Sequence, residues 1–290
     1  MTEILQLTKK QINKNLPKFI GKSINTIAYF APEKAAKLAL DLFCTPRAGK
    51  LKEYQLNFLN KAVWVSLQAG DKKFQTYHWV GPGPTVILLH GWQNNSWRWR
   101  KLINQLLMSG FSVVAIDAPA HGASDGKTFN AHDFAVNLEV AMKHFQPTYL
   151  IGHSIGAFTA IYYYTHFKAV PLKKMVCIAS PDKLTTLTET FKNILGFNEK
   201  VMEVYNKAFT NFFPEDQTYY NASDFVKKIQ IPGLIIHDEN DELNPFEGGQ
   251  AIAKNWKNSK FIRTQNLRHA TQSDEVSAAI IQFLNEEVYE

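Results

Sequence analysis

In Tyr149-Leu150-Ile151-Gly152-His153-Ser154-Ile155-Gly156-Ala157 a short apolar run ends in Gly-His-Ser-Ile-Gly, and helical spacing begins at once with Phe158, Ile161 and Tyr162. The order strand, tight turn, helix gives a Gly-x-Ser-x-Gly pattern chemical meaning. Glycines on both sides leave room for a turn too sharp for side chains. Ser154 then stands at a strained apex with its hydroxyl exposed. The helix start behind it offers free N–H groups and a positive dipole end to a developing anion.

The flanking sequence repeats that rhythm. Continuous apolar runs at 85–89, 111–116, 175–179, 233–237 and 261–263 alternate with helical patterns at 97–109, 131–145 and 273–287. Such runs suit strands buried on both faces of a parallel sheet, and the alternation predicts an α/β domain with helices on both sides. Two segments before it, 62–67 and 74–80, alternate in polarity and predict a half-exposed antiparallel pair closed by Gly81-Pro82-Gly83-Pro84. Ligands of parallel sheets bind beyond the C-terminal strand ends, where the polar residues of interest fall.

One interval departs from the order. Residues 182–228 hold two helical patterns, at 184–195 and 199–213, with no strand between them and many aromatics. An insert of this kind predicts a lid. Residues 1–45 are also helical in pattern, with Ile12, Leu16, Phe19, Ile20 and Ile27 near helical spacing and Lys14, Lys18 and Lys22 between them. Pro17 and Gly21 predict a break, and Pro32-Glu33 a second helix start. The organisation expected is a basic helical extension over 1–52 and an α/β domain over 53–290, carrying the insert. The extension reads as an arm packed on the domain, as a cap, or as a basic amphipathic anchor for anionic membrane.

Composition bounds the function. The chain has 290 residues, 45% hydrophobic and 20% charged, as expected of a globular protein. Residues 1–52 hold ten basic and three acidic side chains, a net +7, so with +6 overall residues 53–290 sum to −1. A nearly neutral body argues against a nucleic-acid partner. Cys44 and Cys177 lack any CxxC or His-rich context, which suits a reducing, cytoplasmic setting and neither a disulfide framework nor a zinc site. No signal-peptide layout, membrane-spanning run, metal-ligand cluster or nucleotide motif is present, so no cofactor or metal is expected.

Four separated motifs then line up: His90-Gly91-Trp92, Asp117-Ala118-Pro119-Ala120-His121-Gly122-Ala123-Ser124, the Gly152–Gly156 turn, and Asn266-Leu267-Arg268-His269-Ala270. From about residue 55 to its end the chain resembles the α/β-hydrolases. The resemblance implies Ser154 as nucleophile, His269 as its base, and an acid after the strand at 233–237. In His237-Asp238-Glu239-Asn240-Asp241-Glu242-Leu243-Asn244-Pro245 it selects Asp241, with Asp238 and Asp182 as alternatives. It implies the N–H groups of Ile155 and Trp92 as an oxyanion hole and gives Asp117, His121, His90 and His153 structural parts. Trp92, Trp97 and Trp99 are candidates for an acyl pocket or for the core.

The function expected is hydrolysis of a carboxylic ester with a hydrophobic acyl group, carboxylesterase- or lysophospholipase-like, through an acyl-enzyme. The partner expected is a small-molecule ester, lipid esters included, with peripheral membrane contact through residues 1–45. The same residues would serve carbon–carbon, thioester or amide hydrolysis or acyl transfer, and the scaffold could also carry a binding protein without catalysis.

Overall fold

The structure, a computed structural model, describes residues 2–168 and 170–287, without the side chains of residues 2–14 and Phe212. Of the positions read above, the Ile12 and Lys14 side chains lie outside the described residues. The strands are β1 (Val63–Ala69), β2 (Lys72–Trp79), β3 (Thr85–Leu89), β4 (Ser112–Ile116), β5 (Tyr149–His153), β6 (Lys174–Ile178), β7 (Gly233–Asp238) and β8 (Ser259–Thr264). The α-helices begin with α1 (Thr2–Phe30), α2 (Pro32–Cys44), α3 (Glu53–Leu59), α4 (Arg100–Met108) and α5 (Ala131–Phe145). They continue with α6 (Ile155–His166), α7 (Leu184–Leu195), α8 (Glu199–Phe212), α9 (Ala222–Phe225), α10 (Phe246–Asn255) and α11 (Asp274–Asn285). The chain divides into two compact units, Met1–Cys44 with Lys183–Tyr220, and Thr45–Asp182 with Asn221–Glu290.

The larger unit is the α/β domain. Among the described residues its eight strands form one sheet in the order β1-β2-β4-β3-β5-β6-β7-β8. β2 runs antiparallel to both β1 and β4, and the other pairings are parallel. Strand order reverses beside β3, where β4 lies on one flank and β5 on the other. Loops leaving the C-terminal ends of β3 and β5 therefore part and open a crevice. Leu89 is paired with Gly152, so both loops start level with each other.

Burial follows from this layout. β4, β5, β6 and β7 are buried along their whole length, as continuous apolar runs require. The half-exposed pair expected at 62–80 holds only for β1. β2 sits inside the sheet between β1 and β4, and Phe74, Gln75, Thr76, Tyr77 and Trp79 are buried. Its alternation reflects two different covered faces and not one wet face.

The smaller unit joins segments that look unrelated along the sequence. The break expected at Pro17 and Gly21 does not occur, and α1 runs through both. Proline removes one backbone bond and costs about 3 kcal/mol in a helix interior. Burial of the α1 face formed by Gly21, Ile24 and Ala28 offsets it. Gly21 is required there: an added Cβ would lie 1.8 Å from the Leu195 carbonyl oxygen at the end of α7. Next to it Asn25 Nδ2 donates to Gly196 O (2.9 Å), and Asn25 Oδ1 accepts from the Asn198 amide (3.0 Å). On α2, Phe43 meets Phe191 and Tyr205 edge to face, with ring centroids 5.2 and 6.0 Å apart. The small residues Ala35, Ala36 and Ala39 are buried on the same helix.

Asn25 thus pins the α7–α8 turn to α1. Asn25→Ala removes both bonds and leaves the Asn198 amide without its acceptor. It should lower stability by about 1–2 kcal/mol. Urea unfolding of the full chain measures this, and an unchanged midpoint would show that the two bonds contribute nothing net.

Candidate active site

All residues named below lie in the α/β unit. Ser154 directly follows β5 and takes φ 54° and ψ −128°. Few non-glycine residues adopt this backbone, and it costs about 1–3 kcal/mol. The surroundings force it. A Cβ on Gly152 would lie 2.4 Å from Ala157 Cα, and one on Gly156 would lie 2.5 Å from the carbonyl oxygens of Leu89 and His90. Only glycines at both places let α6 start so close to β3. The Ser154 amide is fixed by Ile178 O at 2.8 Å.

Ile155 occupies the first position of α6, where an amide has no intrahelical acceptor. Across from it the 90–92 loop is braced on both sides. His90 Nε2 accepts from the Ala118 amide (3.0 Å), so its Nδ1 donates to Gly91 O (2.8 Å). His121 Nε2 accepts from the Gln93 amide (3.0 Å), so its Nδ1 donates to Pro119 O (2.8 Å). The Trp92 amide between them has no protein acceptor among the described residues. A Cβ on Gly91 would lie 2.9 Å from Ser154 Cβ, so this loop lies against the serine turn. Burial pushes His90 down to about 4 and His121 to about 3, so both stay neutral in these roles.

Asp117 is an anchor as well. Its carboxylate, fully buried, accepts from the Ser96 amide and hydroxyl, the Tyr77 hydroxyl and the Ala123 amide at 2.7–3.0 Å. Of the three tryptophans, Trp99 is buried in the core, Trp97 lies under the Arg100 guanidinium (3.7 Å), and Trp92 meets His121 and Phe129.

His269 Nδ1 lies 2.8 Å from Asp241 Oδ2. Asp241 Oδ1 accepts from the amides of Leu243 (2.9 Å) and Asn244 (3.0 Å). His237 Nε2 approaches Oδ2 to 3.5 Å while donating to Asn244 O at 2.9 Å. Burial opposes the charge on Asp241, but His237, His269 and the Asn244 amide outweigh it and hold the carboxyl well below the usual range. Asp241 is therefore a carboxylate at neutral pH.

The two alternative acids are engaged elsewhere. Asp238 accepts from the amides of Asn240, Leu267 and Arg268 and from the Thr264 hydroxyl, at 2.8–3.0 Å. It ties down the turn that carries His269, where Asn266, Arg268 and Thr271 all have positive φ. Asp182 accepts from the Ser223 amide at 2.8 Å.

Two further contacts on the His269 turn have no motif in the sequence. His153 Nε2 donates to His269 O (2.8 Å), and the two rings are 4.9 Å apart. Arg98 Nη2 donates to Ala270 O (3.0 Å). Arg98 is buried, only 8% exposed as a residue, and among the described residues no carboxylate forms an ion pair with it. Burial pushes it down to about 9. Burial, the Arg98 charge and His269 together push the His153 imidazole well below its ordinary value. The structure thus brings Asp241 to His269 and joins the His269 turn to the serine turn through His153. Among the described residues, Ser154 Oγ makes no hydrogen bond to His269.

Comparison with known proteins agrees with this architecture. Residues 84–205 match the sequence model of the alpha/beta hydrolase fold family. The fold of the chain is that of the α/β-hydrolase superfamily. The chain is similar to the bifunctional esterase/perhydrolase of Acinetobacter calcoaceticus, at 25% identity over 69% of this chain and 91% of that protein. It is similar to human monoglyceride lipase over a shorter stretch, at 28% identity over 40% of this chain and 42% of that one. The structure of an esterase from Pyrococcus furiosus superposes with a TM-score of 0.63 at 22% identity, covering 83% of this chain and 95% of that one.

Proposed function

We propose that this protein cleaves carboxylic esters with a hydrophobic acyl group, with Ser154 as nucleophile, His269 as base and Asp241 as the acid that orients it. The observation that carries the reading is the 2.8 Å bond between His269 Nδ1 and Asp241 Oδ2, on the loops after β7 and β8, tied through His153 to the turn of a serine held at φ 54°. Asp241 keeps the Nδ1–H tautomer, so Nε2 is the free base. Substrate binding draws Nε2 and Ser154 Oγ into hydrogen-bond reach, as apo sites often need.

Ser154 Oγ then adds to the carbonyl carbon as its proton passes to His269. The oxyanion takes the amides of Ile155 and Trp92 as donors. His269 returns the proton to the leaving alcohol, and water repeats the sequence on the acyl-enzyme to release the acid and free serine. The insert is read as a lid, since it leaves the chain after β6 and returns before β7. Relatives with esterase and monoglyceride lipase activity by name support the ester class. Lipid esters fall within it, with residues 1–45 as the membrane contact.

Fluorophosphonate labelling read by intact-protein mass tests the assignment on wild type, Ser154→Ala and His269→Ala. One adduct on wild type, none on Ser154→Ala and far slower labelling of His269→Ala are expected. Equal labelling of Ser154→Ala, or ester cleavage that survives it, would overturn the reading. A panel of esters of increasing acyl length then ranks substrates.

A further inference from the structure

We propose that the outward face of α1 docks on an anionic bilayer surface, which deepens the lipid-ester reading above and rests on it for its purpose. The face consists of Leu16, Phe19, Tyr29 and Phe30, with Lys18 and Lys22 at its side.

These aromatics are unusually bare. Phe19, Tyr29 and Phe30 are 69%, 67% and 85% exposed, and Leu16 is 48% exposed. At 3.6 residues per turn, Phe19 and Phe30 point within about 20° of each other, roughly 16 Å apart along the axis. Ser23 and Thr26 lie between them, both exposed. The opposite face, Gly21, Ile24 and Ala28, is buried against the α7 end and its neighbours. So α1 is already fully used on its inner side, and its outer aromatics do not belong to the core of its own unit. Large exposed apolar side chains repeated along one side of a helix, with only small hydroxyl residues between them, mark an interaction surface.

Charge selects the occupant. Between Glu3 and Glu33 the sequence has five lysines and no acid. Lys18 and Lys22 are exposed beside the aromatic stripe, and Lys34 and Lys37 are exposed on the following helix. A second copy of the chain, meeting this one through the same face, would set lysine against lysine. An anionic membrane offers opposite charge to the lysines and an interfacial layer to Phe and Tyr rings. No helix among the described residues is long and apolar enough to cross a bilayer, so the contact is peripheral.

The test is sedimentation of the full chain with phosphatidylcholine vesicles, with and without phosphatidylglycerol. Wild type should partition onto the anionic vesicles, and less so at high salt. Phe19→Asp/Phe30→Asp should weaken partitioning by about tenfold or more. Lys18→Glu/Lys22→Glu should weaken it by a similar factor, since each cation near the surface is worth roughly fivefold. Both double variants should still hydrolyse a short soluble ester at the wild-type rate. Ser154→Ala should bind vesicles as wild type does. Vesicle binding without ester cleavage in wild type would sink only the catalytic reading. Equal partitioning of wild type and both double variants would overturn the docking surface, and so would no partitioning at all. A dimer seen by light scattering that Phe19→Asp/Phe30→Asp dissolves would assign the face to a second copy and overturn the bilayer.

Discussion

Asp241→Asn should lower kcat/KM on an ester substrate by roughly 10⁴-fold while leaving the chain folded. The size comes from the donors around the carboxylate. Asp241 receives the Leu243 and Asn244 amides on one oxygen and faces the rings of His269 and His237 with the other. All four are hydrogen donors in the resting site. An asparagine that keeps its oxygen on the two amides points its NH2 at His269 Nδ1. That forces the proton to Nε2 and removes the base. An asparagine flipped the other way sets its NH2 against two backbone N–H groups. Either way two donors collide, and a stability loss of about 1–3 kcal/mol accompanies the kinetic one. Steady-state kinetics on a chromogenic ester and urea unfolding separate the two effects. A kinetic loss smaller than about tenfold would remove Asp241 from the mechanism.

Acid should unfold this protein through its buried histidines before the Asp241 carboxylate is protonated. His90, His121 and His153 are buried and kept neutral, the first two with values pushed to about 4 and about 3 and the third well below its ordinary value. In the unfolded chain the same imidazoles titrate at about 6.5. Below that pH the unfolded chain binds up to three more protons than the folded one. Stability then falls as pH falls, by roughly 1.4 kcal/mol per unit for each imidazole and roughly 4 kcal/mol per unit for the three. A domain with the usual 5–15 kcal/mol in hand should therefore unfold between about pH 5 and 4. Asp241 does not set this window. Its depressed value contributes stability above about pH 4, which is lost only under stronger acid. Urea midpoints from pH 8 to 5 measure the slope, and proton uptake on unfolding at pH 5.5 counts the groups. Uptake of one proton or fewer would show that these histidines already charge in the folded state.

The parts legible in the sequence are those written in local pattern. The parallel strands and the two insert helices show as apolar runs and helical spacing, because each residue's burial there depends on its own element. What escaped depends on partners far along the chain. β2 alternates like an edge strand but is covered by β4, which follows it by a whole helix and strand. Helix α3 is too short for its period to register. Pro17 looks like a break until the packing of Gly21, Ile24 and Ala28 against the insert is known. At the candidate site, the resemblance pointed to Ser154, His269 and, ahead of Asp238 and Asp182, Asp241. The supports were invisible: Asp238 spent on the 264–268 turn, His153 bonded to the His269 carbonyl, and Arg98 bonded to Ala270. They are side-chain bonds to backbone atoms, which leave no motif behind.

The smaller unit has a consequence for synthesis. Its two halves, Met1–Cys44 and Lys183–Tyr220, are separated by roughly 140 residues of the larger unit. At roughly 5–20 residues per second the first pair of helices emerges from the ribosome about 7 to 30 seconds before its partners exist. Through that interval Ile24, Ala28, Leu40 and the alanine face of the second helix have only each other to pack on, without α7 and α8. The nascent chain carries an amphipathic hairpin in search of a mate. Neighbouring chains on one message each expose the same hairpin and, slightly later, the same insert. Exchange of these segments between chains is the misassembly such a split unit invites.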